Sequence, residues 1–140
     1  MQYAVATYAV TSLHKKPKQL WQILAGQGKS RIIATAAIYA LTERDFQNVH
    51  IVYPSKHLMV RDKETYTQQI DLVDCEEKVH YHEDLEFETN KGDLVIIDEV
   101  DYFIYSDPKA FYKFQVTRKI IGFTATASTK AIKGLEHSVF

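Results

Sequence analysis

The chain alternates short apolar runs with longer stretches of helical periodicity, so strands and helices are expected to alternate along it. Residues 2–13 read as a helix, broken by Lys15, Lys16 and Pro17. Gln19 to Leu24 is a short apolar strand that ends in a glycine-containing turn, and the alanine-rich segment from Lys29 to Leu41 follows as a helix. Val49 to Tyr53 is a strand of buried type stopped by Pro54, Lys56 to Ile70 is a helix, and Val79 to Tyr81 is a weak strand. Leu94 to Ile97 is the cleanest strand, four consecutive apolar residues between Asp93 and Asp98. Pro108 to Phe114 reads as an aromatic-rich helix, Ile120 to Phe123 as a last strand, and Ser128 to Leu135 as a closing helix. Apolar runs without polar alternation suit strands covered on both faces. The pattern therefore predicts an α/β fold, with a central, mainly parallel sheet of five or more strands and helices on both faces.

Two segments add chemistry to this frame. Residues 23–30 read Ile-Leu-Ala-Gly-Gln-Gly-Lys-Ser, between a predicted strand and a predicted helix. In that context Gly26 and Gly28 let the backbone curl with its N–H groups turned inward, and the helix start supplies the positive end of its dipole. A phosphate-binding loop is expected here; the plainer reading is a glycine-containing turn before a helix, with Lys29 merely solvated. Lys29 is expected to reach the terminal phosphates as a point charge and the Ser30 hydroxyl to ligate Mg²⁺. The first glycine of the full pattern is replaced by Ile23. Residues 94–101 read Leu-Val-Ile-Ile-Asp-Glu-Val-Asp, an apolar strand that ends in a pair of acids. A buried strand holds such carboxylates rigidly. Asp98 is expected to hold Mg²⁺ opposite Ser30, and Glu99 to polarise the attacking water as general base. The plainer reading of this segment, a helix capped by Asp98, explains one acid but not the ordered pair of motifs.

With these motifs the sequence resembles the first RecA-like domain of superfamily 2 (DEAD-like) helicases, and most closely SecA-type ATPases. Ala25-Gly26-Gln27-Gly28-Lys29-Ser30 looks like the family's phosphate loop, and Val52-Tyr53-Pro54-Ser55 with Leu58, Arg61 and Asp62 looks like motif Ia. Asp98-Glu99-Val100-Asp101 matches the Walker B form, and Gly122-Phe123-Thr124-Ala125-Thr126-Ala127 looks like motif III. The resemblance implies an ATP site formed by Gly26, Gln27, Gly28, Lys29, Ser30 and Arg31, with Ser30 and Asp98 on the metal and Glu99 catalytic. It also implies an adenine-reading glutamine, for which Gln2 is the candidate, and a coupling role for Thr124 and Thr126. Only about twenty residues separate the acidic motif from motif III, so the SecA preprotein-crosslinking insertion is absent. The expectation is a single RecA-like P-loop NTPase domain over 1–140. The second motor domain, which carries the family's transition-state arginines, is then a partner. Arg31, Arg44, Arg61 and Arg118 carry no mark of such a finger. Hydrolysis is expected to be weak or partner-dependent. The alternative is a catalytically inactive truncated relative that binds protein or nucleic acid.

Composition adjusts this picture modestly. A chain of 140 residues with 46% hydrophobic and 25% charged residues suits one soluble core. The formal net charge of -1 gives no global basic field for nucleic acid, although Lys56, Arg61 and Lys63 offer a local one on the motif Ia helix. Residues 71–101 hold twelve acids and two bases, Lys78 and Lys91. Cys75 is the only cysteine, which excludes an internal disulfide and fits a reducing, cytoplasmic compartment. No apolar run reaches membrane-spanning length, and residues 1–13 lack the basic start of a signal peptide. His80 and His82 share one face of a strand and could ligate a metal, without a third ligand at clear spacing. Trp21 could stack on bases but reads mainly as core, and the aromatic cluster of Tyr102, Phe103, Tyr105, Phe111, Tyr112 and Phe114 is expected either to pack a helix onto the sheet or to form the surface where a second domain docks.

Overall fold

The apolar runs do form strands buried on both faces. The computed structural model describes residues 2–23, 28–117, 119–125 and 137–139. Among them, β1 (Lys18–Gln22), β2 (Asn48–Val52), β3 (Val79–His82), β4 (Asp93–Ile97), β5 (Lys119–Thr124) and β6 (His137–Val139) form one sheet in the order β3-β2-β4-β5-β1-β6. Every neighbouring pair is parallel. The helices are α1 (Gln2–Thr11), α2 (Lys29–Glu43), α3 (Lys56–Leu72), α4 (Val100–Ser106) and α5 (Pro108–Thr117). No helix among the described residues is long and apolar enough to cross a membrane.

Side-chain alternation divides the core into two layers. Leu94 and Ile96 of β4 join Ile51, Ile121 and Phe123 under α1 and α2, whereas Val95 and Ile97 join Leu20, Val52 and Ile120 under α4 and α5. This is why β4 reads as an unbroken apolar run: both of its faces are covered. Ala6 and Ala9 of α1 and Ala36, Ala37 and Ala40 of α2 are fully buried, and their small side chains let the two helices approach closely. One buried polar residue ties α1 to the sheet. The Gln19 amide nitrogen lies 3.0 Å from the Ala9 and Lys16 carbonyls and the Ser12 hydroxyl, and Trp21 donates to its amide oxygen at 2.9 Å. Trp21 is thereby committed to the core, edge-on to Tyr8.

The structure departs from the periodicity in two places. Helix α4 follows the acidic motif at once, starting from Glu99 and not from the Asp98 of the plainer reading, with Val100, Phe103 and Ile104 buried while Tyr102 and Tyr105 face solvent. Strand β6 adds a sixth, edge strand. The helix expected at 128–135 lies outside the described residues.

Candidate functional site

In a parallel sheet all strands point the same way, so the loops that leave their C-terminal ends meet at one edge. Gly28, at the N-terminus of α2, has φ 78° and ψ 35°, a left-handed conformation that glycine adopts without a side-chain clash. It turns the chain so that Lys29 opens the helix. Across the sheet, the Asp98 N–H donates to the Val52 carbonyl at 2.9 Å, extending the β2–β4 ladder one residue past the strand. These two constraints bring together residues far apart in sequence. Lys29 Nζ lies 2.9 Å from Asp98 Oδ1 and donates a hydrogen bond to Glu99 Oε1.

The electrostatics follow from this placement. Burial disfavours the Lys29 ammonium, but the hydrogen bond to Glu99 and the charges of Asp98 and Glu99 outweigh it, and the lysine pKa is raised. Burial dominates at Asp98, whose carboxyl is pushed up although the Lys29 charge pulls it down. Glu99 has φ 49°, one of two positive-φ non-glycine residues among those described. It occupies the N-cap position of α4 without capping it through its side chain. The cap falls on Glu99, not Asp98, and its carboxylate turns to the lysine instead. Backbone strain of this kind persists only where the surroundings over-determine it, and it concentrates at functional sites.

No protein-family model matches the sequence, and no curated protein matches it. Solved structures do match in shape. The Hef helicase domain of Pyrococcus furiosus superposes with TM-score 0.71 at 18% identity, covering 98% of this chain and 36% of that one. The fold is that of a RecA-like helicase domain. A Sulfolobus tokodaii protein described as a hypothetical ATP-dependent RNA helicase gives 0.64 at 17% identity over 96% of this chain and 52% of its own. The Sulfolobus solfataricus SWI2/SNF2 ATPase core, solved with double-stranded DNA, gives 0.71 at 12% identity over 96% and 34%. This chain thus spans about one third to one half of the length of these proteins.

Within the RecA-like helicase-domain fold, Ser30 is the second residue of α2, in the same first turn as Lys29, and Arg31 is exposed on the next position. Gly26, Gln27, Thr126, Arg118 and the Gln2 side chain lie outside the described residues. Thr124 is buried at the end of β5, where its carbonyl accepts the Ile23 N–H at 2.9 Å and its side chain hydrogen-bonds Asp101. The acidic motif and Thr124 are therefore in direct contact. Burial pushes the Asp101 carboxyl up, the Glu99 charge adds to this, and the Thr124 bond opposes it.

The donor set can be tested for a divalent cation. Asp98 Oδ1 is buried with the Lys29 ammonium 2.9 Å away as its counter-charge, a place a divalent cation could take once the lysine turns to phosphate, and Asp101 Oδ1 is buried without a hydrogen bond from the described residues. Such an oxygen is costly unless a cation or water completes it. Carboxylate and hydroxyl oxygens are the hard donors that suit Mg²⁺, so Asp98 and Ser30 fit this ion.

Three arrangements were not legible in the sequence. Asp62 is buried and accepts from the Tyr53 hydroxyl at 3.0 Å while Arg61 Nε donates to its other oxygen at 3.2 Å. This pairing occupies Arg61, and burial followed by the Asp62 charge pushes the Tyr53 hydroxyl far above its ordinary range. His80 and His82 do share a face, but their partners are on other strands: His80 bonds Asn48 at 2.9 Å, and His82 bonds His50 at 3.0 Å, which in turn bonds Asp93 at 3.0 Å. Among the described residues no three His, Cys, Asp or Glu side chains group as a metal site. The aromatic cluster splits: Phe103 and Phe111 are buried, whereas Tyr102, Tyr105 and Tyr112 are exposed.

Proposed function

We propose that this chain binds Mg-ATP in the manner of the first motor domain of a superfamily 2 helicase-like ATPase. The observation that supports this is the meeting of Lys29, Asp98 and Glu99 at the C-terminal edge of a parallel sheet, beside the left-handed turn at Gly28. In this reading the backbone around Gly26, Gln27 and Gly28, with Lys29, holds the phosphates, and Arg31 flanks them. Gln2 is the proposed adenine contact. Ser30 and Asp98 would hold Mg²⁺, which supplies charge neutralisation at the transferring phosphoryl group. Lys29 moves from the carboxylates to the phosphates, and Glu99, freed from the lysine, orients the attacking water and accepts its proton. Thr124, bonded to Asp101, links the site to the end of β5, and with Thr126 would transmit its state to a neighbouring domain.

Hydrolysis by these residues alone is proposed to be slow, with a second RecA-like domain as the partner that completes the site. An arginine supplied in trans is worth orders of magnitude in such reactions. The SecA-like form of the phosphate loop, a reducing cytoplasmic setting and contact of nucleic acid with the motif Ia helix are proposals from sequence. A second reading, an inactive relative that serves as a binding module, is favoured by the exposed tyrosines Tyr102, Tyr105 and Tyr112 beyond the acidic motif. Steady-state ATP turnover, and its loss in Glu99→Gln, separates the two, and calorimetric titration with ATP and Mg²⁺ tests the nucleotide site. Binding by the folded protein that is lost in Lys29→Ala supports the ATP site, and the absence of heat from the folded wild type rejects it.

A further inference from the structure

The opposite end of the sheet carries a second concave site, and we propose that it binds a small phosphate-bearing anion. A cleft of about 470 Å³ opens where the strands begin, between the end of α1, the end of α2 and the starts of β4 and β5. Five-residue strands separate it from the Lys29 edge by on the order of 15 Å. Its floor includes Val10, Leu13 and Phe46, and its rim carries Arg44, Lys91 and Lys119, with Asp45 as the one carboxylate.

The charge on this rim is not neutralised internally. None of Arg44, Lys91 and Lys119 forms an ion pair with a described residue. Arg44 is at the C-cap of α2, where it complements the negative end of the helix dipole, so part of its charge has a structural use. Lys91 and Lys119 precede or begin strands, and they share the cleft with the C-terminal ends of α1 and α2, so part of their charge offsets those dipole ends and the three cations of the rim must exceed this demand for an anion to bind. Lys91 is one of only two bases in the acidic stretch 71–101, which makes its position in this cleft notable on charge grounds. A concave surface lined by one sign of charge concentrates the field and attracts the opposite ion.

The walls are already in place. Gln47 N–H donates to the Gly92 carbonyl at 2.9 Å, and Ile120 N–H donates to the Pro17 carbonyl at 2.8 Å. Gly92 packs so tightly that an added Cβ would lie 3.1 Å from the Gln47 side chain. The Lys119 ammonium sits over the Phe46 ring, 5.5 Å from its centroid, which holds it at the cleft. A volume of this size encloses a small molecule, whereas a nucleic-acid strand would run across the surface. Apolar floor and cationic rim together fit a phosphate joined to a compact body.

The experiment is calorimetry with tripolyphosphate at low salt, because the phosphate loop is also expected to take this probe. In Lys29→Ala, shown folded by circular dichroism, binding at one site is expected to persist. Adding Arg44→Ala and Lys119→Ala should weaken it by roughly tenfold or more, as expected on losing charge-assisted bonds to phosphate. Lys91→Ala, at an exposed turn, should weaken it in the same direction and is the change least able to disturb the fold. Absence of binding in folded Lys29→Ala, or equal binding after the rim changes, overturns the proposal. Tighter binding by a 5′-phosphorylated tetranucleotide than by tripolyphosphate overturns the assignment to a small solute. A wild type that ignores ATP yet loses tripolyphosphate binding with the rim changes would sink the ATP reading and leave the cleft intact.

Discussion

Replacing Lys29 by alanine tests the geometry of the site without any ligand. The ammonium is the counter-charge of Asp98, whose side chain is 6% exposed, and of Glu99, whose side chain is 36% exposed. Two unit charges 4 Å apart attract by about 4 kcal/mol at an effective dielectric of 20. Removing one partner of a fully buried pair costs about 3–5 kcal/mol. Here the lysine keeps 20% of its surface in water and Glu99 is reachable by solvent, and the relieved burial of the ammonium offsets part of the loss. The expected destabilisation at neutral pH is therefore about 2 kcal/mol, or about 7 °C in melting temperature for a chain of this size. The pH dependence has a definite sign. Asp98 has a raised folded pKa, so the folded state binds more protons than the unfolded one between the ordinary carboxylate value and the raised one. Losing Lys29 removes the charge that holds this pKa down and widens the window. The defect should therefore shrink as the pH is lowered, when Asp98 becomes neutral. Urea denaturation at pH 7 and pH 5 measures it, and Asp98→Asn in the Lys29→Ala background should restore much of the lost stability. A change below about 0.5 kcal/mol, typical of a solvated surface lysine, would refute the pairing.

Other consequences are more local. Glu99→Gln should keep ATP binding and lower turnover by about a hundredfold or more, and an unchanged steady-state rate would reject Glu99 as the base. Because Glu99 sits at φ 49°, Glu99→Gly should be more stable than Glu99→Ala by about 1 kcal/mol in thermal or urea melts; the reverse order would contradict the left-handed backbone. His82, stacked on Phe87 and facing His50 and His80 with Asp84 nearby, is lowered to about 4, first by burial and then by the neighbouring histidines. The folded state therefore binds fewer protons than the unfolded one between pH 6.5 and about 4, and stability declines as the pH falls through that window. After discounting for its partial exposure this amounts to roughly 1–2 kcal/mol. His82→Phe should flatten that part of the acid limb, and an unaltered slope would show that the ring does not titrate there.

The parts of this protein written locally in its sequence are those with local causes. The order of strands and helices follows from apolar periodicity, and the glycine at position 28 and the serine at 55 mark helix starts through their own backbone and side-chain chemistry, Ser55 accepting the Leu58 N–H at 3.2 Å. The two motifs were legible because each is contiguous and sits at a strand end. Helix α4 entered only as the plainer alternative, since its buried stripe of Val100, Phe103 and Ile104 is masked by Tyr102 and Tyr105, aromatic residues whose exposure the sequence does not show. The strand order β3-β2-β4-β5-β1-β6 is a matter of long-range pairing that no local pattern encodes, and the meeting of Lys29 with Asp98 and Glu99 depends on it. So do the His50–Asp93 pair and the cationic rim of Arg44, Lys91 and Lys119, whose members are scattered along the chain. Charge and hydrogen bonding act through space, and folding alone sets which distant residues come within reach.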